Sequence, residues 1–388
     1  MKQIHPWKTA LLLIVSLPMA AVAAMAATAP HWEAVPQHGD VPPPIYEAGI
    51  SLARTGGTAD VLYRFGGDDE EDMVNDFYAL DLKTFTWKNL GSPQAPAGRG
   101  NTLLIPGPCL QCVSIVGGRG EFGTGVMYPE MWTYHVKTGR WVEASPAERG
   151  SRSAVKRAAS LVVAVPDPRH PNRTPTFYAF GGVGNTEDRF TVTPTGLRND
   201  VAVYDPAAGW QVVKISGRKP APRAWTTGAY DPIQHSLLVF GGYRLGPDQG
   251  PDTPGSELFG PTNFDNELWS LSLDSFRWTQ LHPQGPAPNP RDNVAAFFDA
   301  VHGRLVLWGG QYFDRVTNDL WYYSFAGNRW TEVSLAPGSP VPSGRVGGVY
   351  FVRETPGAYE LYIHSGITNE FGDGELLNDL WKLTWPKD

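Results

Sequence analysis

Five arginines, Arg99, Arg157, Arg223, Arg291 and Arg345, are the residues whose spacing first suggests chemistry. Four of them follow a tryptophan by 12 to 15 residues: Trp87, Trp210, Trp278 and Trp330. After Trp141 the spacing stretches, and Arg157 matches best with Arg152 as its rival. A guanidinium carries a permanent charge and a rigid fork of donors, so several gathered in one place would hold a carboxylate, sulfate or phosphate. The same pattern serves architecture equally well, each arginine bonding carbonyls or acids of its own unit. Asn101, Trp225 and Asn293 each stand two places after an arginine, an offset that strand alternation would aim the same way. Tyr243, Tyr312 and Phe313 follow glycine pairs and suit either stacking on a ligand or packing between sheets.

Other chemistry has less support. The acidic stretch Asp68 to Asp76 fits no calcium-loop spacing and reads as a solvated edge. Glu130, Glu187, Asp188, Glu257 and Asp265 are candidate acids or bases among which the sequence does not choose. The histidines His31, His38, His135, His170, His235, His282, His302 and His364 form no H-x-H or H-E-x-x-H spacing, and no nucleophile elbow or phosphate loop occurs. The two cysteines, Cys109 and Cys112, lie in "PGPCLQCVS". One C-x2-C without a second pair is a weak zinc signal, so a disulfide or structural thiols are expected. No metal centre and no cofactor is expected.

The elements that must position these residues form a repeat. An apolar strand ends in paired glycines at "VLYRFGG", "VSIVGG", "TFYAFGG", "LLVFGG" and "LVLWGG", and a weaker "LYIHSG" closes the series at Gly366. Each is followed by a variable loop and an alternating strand, "NDFYALD", "PEMWTYH", "NDVAVYD", "NELWSLSLD", "NDLWYYS" and "NDLWKLT". Then come a short turn and the tryptophan strand. Glycine pairs allow positive φ where a strand leaves a sheet, period-two alternation marks covered strands, and the tryptophan supplies surface for one sheet to pack on the next. Four strands per unit of about 60 residues, longer than the usual ~50, describe a propeller blade with loop insertions.

Glycine pair, Asn-Asp strand, tryptophan and arginine together resemble the kelch repeat over essentially the whole chain after the N-terminus. The resemblance implies an all-β, six-bladed propeller, a single domain over residues 30–388, related to the propeller of galactose oxidase. Matching arginines line the ligand face in kelch adaptors of ubiquitin ligases. The iron motif E-x3-D-x7-H of the plant specifier proteins is absent. The sixth unit lacks its fourth strand, and "HWEAVPQHGDVPPP" has the tryptophan and proline layout to supply it, closing the ring from the N-terminus. Its crossover ends in Ile45-Tyr46-Glu47 where the others carry arginine, so the first blade lacks that residue.

Lys2 and Lys8 precede an apolar run from Thr9 to Ala24 and then "AAMAATA", the layout of a signal peptide over residues 1–26. Export to a periplasm or the extracellular space is expected, with no membrane span in the product. Net charge is -7, and two units more negative without Lys2 and Lys8, which disfavours nucleic acid. Glycine 43, proline 35 and tryptophan 14 suit a turn-rich β protein. The expected function is a monomeric binding protein that recognises a protein partner or acidic carbohydrate with its arginine-bearing loop face. The alternative is an acidic-sugar epimerase or mutarotase, by resemblance to exported kelch proteins such as N-acetylneuraminate epimerase.

Overall fold

A computed structural model describes residues 29–55, 58–91, 93–109, 111–121, 126–170, 173–184, 196–246, 249, 260–369 and 373–388. The expected signal peptide and the candidate acids Glu187, Asp188 and Glu257 lie outside the described residues.

Six antiparallel sheets follow one another along the chain. Their innermost strands are Gly49–Thr55, Leu103–Pro106, Leu161–Val165, Thr227–Asp231, Ala295–Asp299 and Val349–Glu354. They belong to blades 1 to 6 in that order. In the sixth, the strand order runs from His31–Ala34 through Leu380–Pro386 and Ala358–His364 to Val349–Glu354. The first described strand is therefore the outermost of the last blade, with Trp32 opposite Leu383. Beyond it, His38–Gly39 pairs in parallel with Thr86–Asn89 of blade 1, so the same segment ties the last blade to the first.

The fourth-strand tryptophans explain why the sheets stack. Trp141 of blade 2 lies 5.4 Å from Phe65 and 4.9 Å from Phe77 of blade 1. Trp278 of blade 4 meets Phe180 of blade 3, Trp330 of blade 5 meets Phe240 of blade 4, and Trp32 meets Trp308 of blade 5. Each indole is inserted into the preceding blade, so no sheet could bury its apolar face alone. The stretched crossover after Trp141 contains two short helices, Pro146–Arg149 and Arg152–Val155. Ser145 and Glu148 form a capping box on the first. The second buries Ala154 and Val155, and the following Arg157 occupies the repeat position. Among its described residues the long fourth-blade insertion holds a 3-10 turn, Pro261–Asn263.

The first strands enclose an axial channel of about 790 Å³ lined by residues such as Ile50, Leu104, Val162, Tyr230, Phe298 and Val352. Tyr350 of blade 6 reaches past blade 5 to place its hydroxyl 3.2 Å from Thr227 Oγ1 of blade 4, spanning part of the lumen.

Candidate functional site

All five repeat arginines are buried, none more than 3% exposed. Their donors are engaged in a common way. Arg223 is representative: Nε donates to the Ala221 carbonyl at 3.1 Å, Nη1 to that of Gly241 at 3.1 Å, and Nη2 to Glu267 at 2.8 Å. Arg99 pairs with Glu130, Arg157 with Asp200, Arg291 with Asp319 and Arg345 with Asp379. The last two pairs are bidentate, the strongest geometry for such a contact. Burial pulls the Asp319 carboxyl upward, and the bonds and charge of Arg291 more than reverse this, leaving it below its ordinary value. The acid also accepts the indole N–H of the tryptophan two places on, as Asp319 does from Trp321 and Asp379 from Trp381. The neighbouring Asn donates to a proline carbonyl of the crossover, Asn266 to Pro288 and Asn318 to Pro342. The Asn-acid-x-Trp run is thus a joint that locks the third strand to the arginine and the crossover. An anion would have to displace a blade carboxylate to reach these guanidiniums.

Four of the arginines, Arg99, Arg157, Arg223 and Arg291, also join blades through their backbone. Each carbonyl accepts from the second glycine of the preceding blade, as Arg99 does from Gly67 and Arg291 from Gly242. A Cβ on the first glycine, Gly66 or Gly241, would stand 2.4 Å from that same carbonyl. This close approach, with positive φ, is why a glycine stands there.

Two residues after each arginine the structure forms a second, inner ring. Glu47, Asn101, Ala159, Trp225, Asn293 and Gly347 all have φ between 50° and 62°. Successive members are hydrogen-bonded head to tail: Glu47 N–H to Gly347 O, Asn101 to Glu47, Ala159 to Asn101, Trp225 to Ala159 and Asn293 to Trp225, at 2.7 to 3.3 Å. These five bonds link the starts of consecutive inner strands from blade 6 through blades 1 to 5, so these residues frame one mouth of the channel. Asn101, Trp225 and Asn293, expected at one offset, are brought together here. Ile45 takes the backbone place of the missing arginine, its carbonyl accepting from Gly366.

The mouth is asymmetric. On one side Trp225 stands edge-on to Tyr243, itself edge-on to Phe264, above Ala159, Val183 and Leu197. Tyr243 is 1% exposed, so it supports Trp225 from beneath. On the other side Glu47 is ion-paired with Arg119, which also lies 3.8 Å from Asp68. Facing them in blade 5 are Asp292 and its antiparallel bridge partner Gln311, both buried. Burial, and secondarily the charge of Glu47, push the Asp292 carboxyl up to about 7 against the hydrogen bond from Asn293. Gln311 Oε1 and Asn101 Nδ2 are buried without a hydrogen-bond partner. Orphaned buried polar atoms are costly, and here an acceptor and a donor sit at one opening.

Other expected candidates fall elsewhere. Glu130 is held by Arg99, and Asp265 by Arg244 at 2.6 Å. Tyr312 lies edge-on to Phe264, and the Phe313 carbonyl accepts from Gln311. Asp68 and Asp69 accept backbone N–H bonds from their own loop, as a self-capped turn does. Glu47, Arg119, Asp292 and Gln311 were not expected. Their signal was the offset itself: Glu47 stands two places after Ile45 as Asn101 stands after Arg99, and the residue after a glycine pair bridges the residue after an arginine. Cys109 and Cys112 form a disulfide.

A family profile for the KLHDC2/KLHL20/DRC7 Kelch-repeats domain matches residues 172–387. Similar proteins include bovine Kelch domain-containing protein 2, 25% identical over 68% of this chain, and Acyl-CoA-binding domain-containing protein 4 of Arabidopsis thaliana, 25% identical over 67%. The chain spans 60% of the first and 34% of the second. N-(sulfonatooxy)prop-2-enimidothioate sulfolyase of Thlaspi arvense is 24% identical over 77% of this chain and 82% of its own length.

Proposed function

This chain belongs to the kelch-repeat domain family, and from that premise we propose that it is an exported, monomeric binding propeller. It takes a polypeptide partner on the loop-bearing face, with the axial ring as the point of recognition. The observation that carries this reading is the pairing of buried, unpartnered polar atoms, Gln311 Oε1 and Asn101 Nδ2, with the Trp225 surface at one mouth. Among the described ring residues and those bridged beside them, three carboxyls, Glu47, Asp68 and Asp292, stand against one guanidinium, Arg119. That balance favours a donor-rich or cationic side chain of the partner over an acidic glycan, whose arginines are engaged within the blades.

Selection of a displayed random-peptide library on the full chain tests this. Lysine- or arginine-bearing peptides should be enriched, and Trp225→Ala or Asp292→Asn should weaken them about tenfold, roughly 1.4 kcal/mol. Enrichment of acidic peptides, or binding indifferent to both substitutions, would overturn the reading. N-terminal sequencing of the exported product should begin near Ala27, after residues 1–26.

The Asp292 carboxyl favours a second reading. A group held near neutrality can give or take a proton, as an acidic-sugar epimerase or mutarotase requires. Sialic acid α-anomer followed by proton NMR should then mutarotate faster than spontaneously, and Asp292→Asn should abolish the difference.

A further inference from the structure

At the opposite end of blade 2 from the ring, Cys112 opens the second strand, Cys112–Val116, and His135 closes the third, Met131–His135. The two are direct partners in antiparallel register, so their side chains share one face of the sheet. Cys112 Sγ lies 3.3 Å from His135 Nδ1. Cys109 is disulfide-bonded to Cys112, and the Cys109, Cys112 and His135 ligand atoms lie within 4.8 Å of one another.

We propose that this triad is a redox-gated Zn²⁺ site, closed by the Cys109–Cys112 bond and opened when that bond is reduced. Two thiolates and an imidazole are the ligand chemistry of zinc sites that keep a fourth position open. Bond lengths of about 2.3 Å to sulfur and 2.0–2.1 Å to nitrogen at a tetrahedral angle place those two atoms about 3.6 Å apart, close to the separation already present. The backbone holds the turn without help from the sulfurs. Gly107 N–H donates to the Cys112 carbonyl at 2.8 Å, Cys112 N–H to that of Cys109 at 3.1 Å, and Val136 N–H to that of Gln111 at 3.0 Å. Cys112 is buried and fixed by the ladder, whereas Cys109 is exposed. The sulfur that must swing away from its partner to make room for the ion is therefore the one on the surface turn.

The chemistry balances. An external dithiol reduces the bond and becomes a disulfide, its two protons passing to the two protein sulfurs. Zn²⁺ then binds both sulfurs as thiolates and releases those protons, while neutral His135 contributes the lone pair of one ring nitrogen.

Titrating the full chain with Co²⁺, a spectroscopic stand-in for Zn²⁺, tests the site. After reduction one equivalent should give sulfur-to-cobalt absorption in the near ultraviolet and tetrahedral bands in the visible, both displaced by Zn²⁺. The oxidised protein should give neither. Cys112→Ser should abolish the signal. His135→Gln should weaken affinity by more than the roughly 10–100-fold that losing an outer-shell partner costs. Independently of any variant, the His135 ring resonances should shift on adding Zn²⁺ to reduced protein alone. Absence of cobalt bands after reduction, equal affinity in His135→Gln, or ring resonances indifferent to Zn²⁺ would each overturn the proposal.

Discussion

Asp292 and the blade acids are buried carboxyls with opposite pH behaviour. Asp200, Glu267, Asp319 and Asp379 are held below their ordinary values: burial raises each, and hydrogen bonds and charge overcome it, led by Arg198 and then Arg157 at Asp200, by the Trp269 indole and then Arg223 at Glu267, and by Arg291 and Arg345 at Asp319 and Asp379. Their stabilisation is present above the unfolded carboxylate pKa and is lost as pH falls through the lower folded one. Asp292 is pushed up to about 7 by burial, so the folded state holds its proton more tightly than the unfolded chain does. Its contribution is complete below the unfolded value of about 4 and disappears as pH rises through about 7. Asp292→Asn should therefore flatten the decline in stability between about pH 4 and 7, measured by urea unfolding at several pH values. The acid-side loss below pH 4 should persist in the variant. A decline of the same slope in both proteins would place the titrating group elsewhere.

At the scale of the element, the junction of blades 6 and 1 departs from the others in a coordinated way. Ile45 replaces the arginine, and Ser365 replaces the first glycine, at φ 63°. An arginine, Arg64, appears instead within the second strand of blade 1, where blades 2 to 6 carry Ile115, Ala179, Val239, Leu307 and Ile363. Arg64 is fully buried and bonds Ser365 Oγ at 3.1 Å, His364 Nε2 at 3.2 Å and the Pro43 carbonyl. Burial, only partly offset by the charges of Tyr78 and Asp76, lowers its pKa to about 10. Burial first, and then the charge of Arg64, lower that of His364 to about 3, so the imidazole is neutral and its Nε2 accepts. A guanidinium of blade 1 thus reaches into blade 6, with no carboxylate in direct contact among the described residues. Arg64→Leu should leave His364 and Ser365 without their donor and cost about 2–4 kcal/mol in chemical denaturation. Adding His364→Phe, the residue type found at that place in blades 1, 3 and 4, should recover part of the loss. Strict additivity of the two substitutions would show that they do not form one unit.

At the scale of the whole molecule, the ring closes with a strand from the N-terminus, whose tryptophan packs on blade 5 as the other fourth-strand tryptophans pack on their preceding blades. Trp32 is 1% exposed and Trp330 4%, each inserted into the preceding blade. If closure is one more repeat contact, Trp32→Ala and Trp330→Ala should cost similar amounts, about 3–5 kcal/mol, in a single cooperative transition. A Trp32→Ala variant of near wild-type stability would mean that the ring does not depend on its seam.

The repeat was legible in the sequence because each blade uses the same local chemistry: glycine pairs at positive φ, an Asn-acid joint, a tryptophan for the neighbouring sheet. The offset start was legible too, because the tryptophan and proline layout after Trp32 matches that after Trp330. What the arginines do was open to two readings, since a buried donor looks the same in sequence whether it meets a ligand or a blade acid. The tertiary structure gave every one of them an internal partner and placed the residues two positions further on around the axis. Spacing along the chain reports contacts within a blade. Contacts between neighbouring blades, such as Glu47 with Arg119, depend on how the blades stack, and the pairing of Cys112 with His135 depends on strand register, neither of which the spacing of a single repeat encodes.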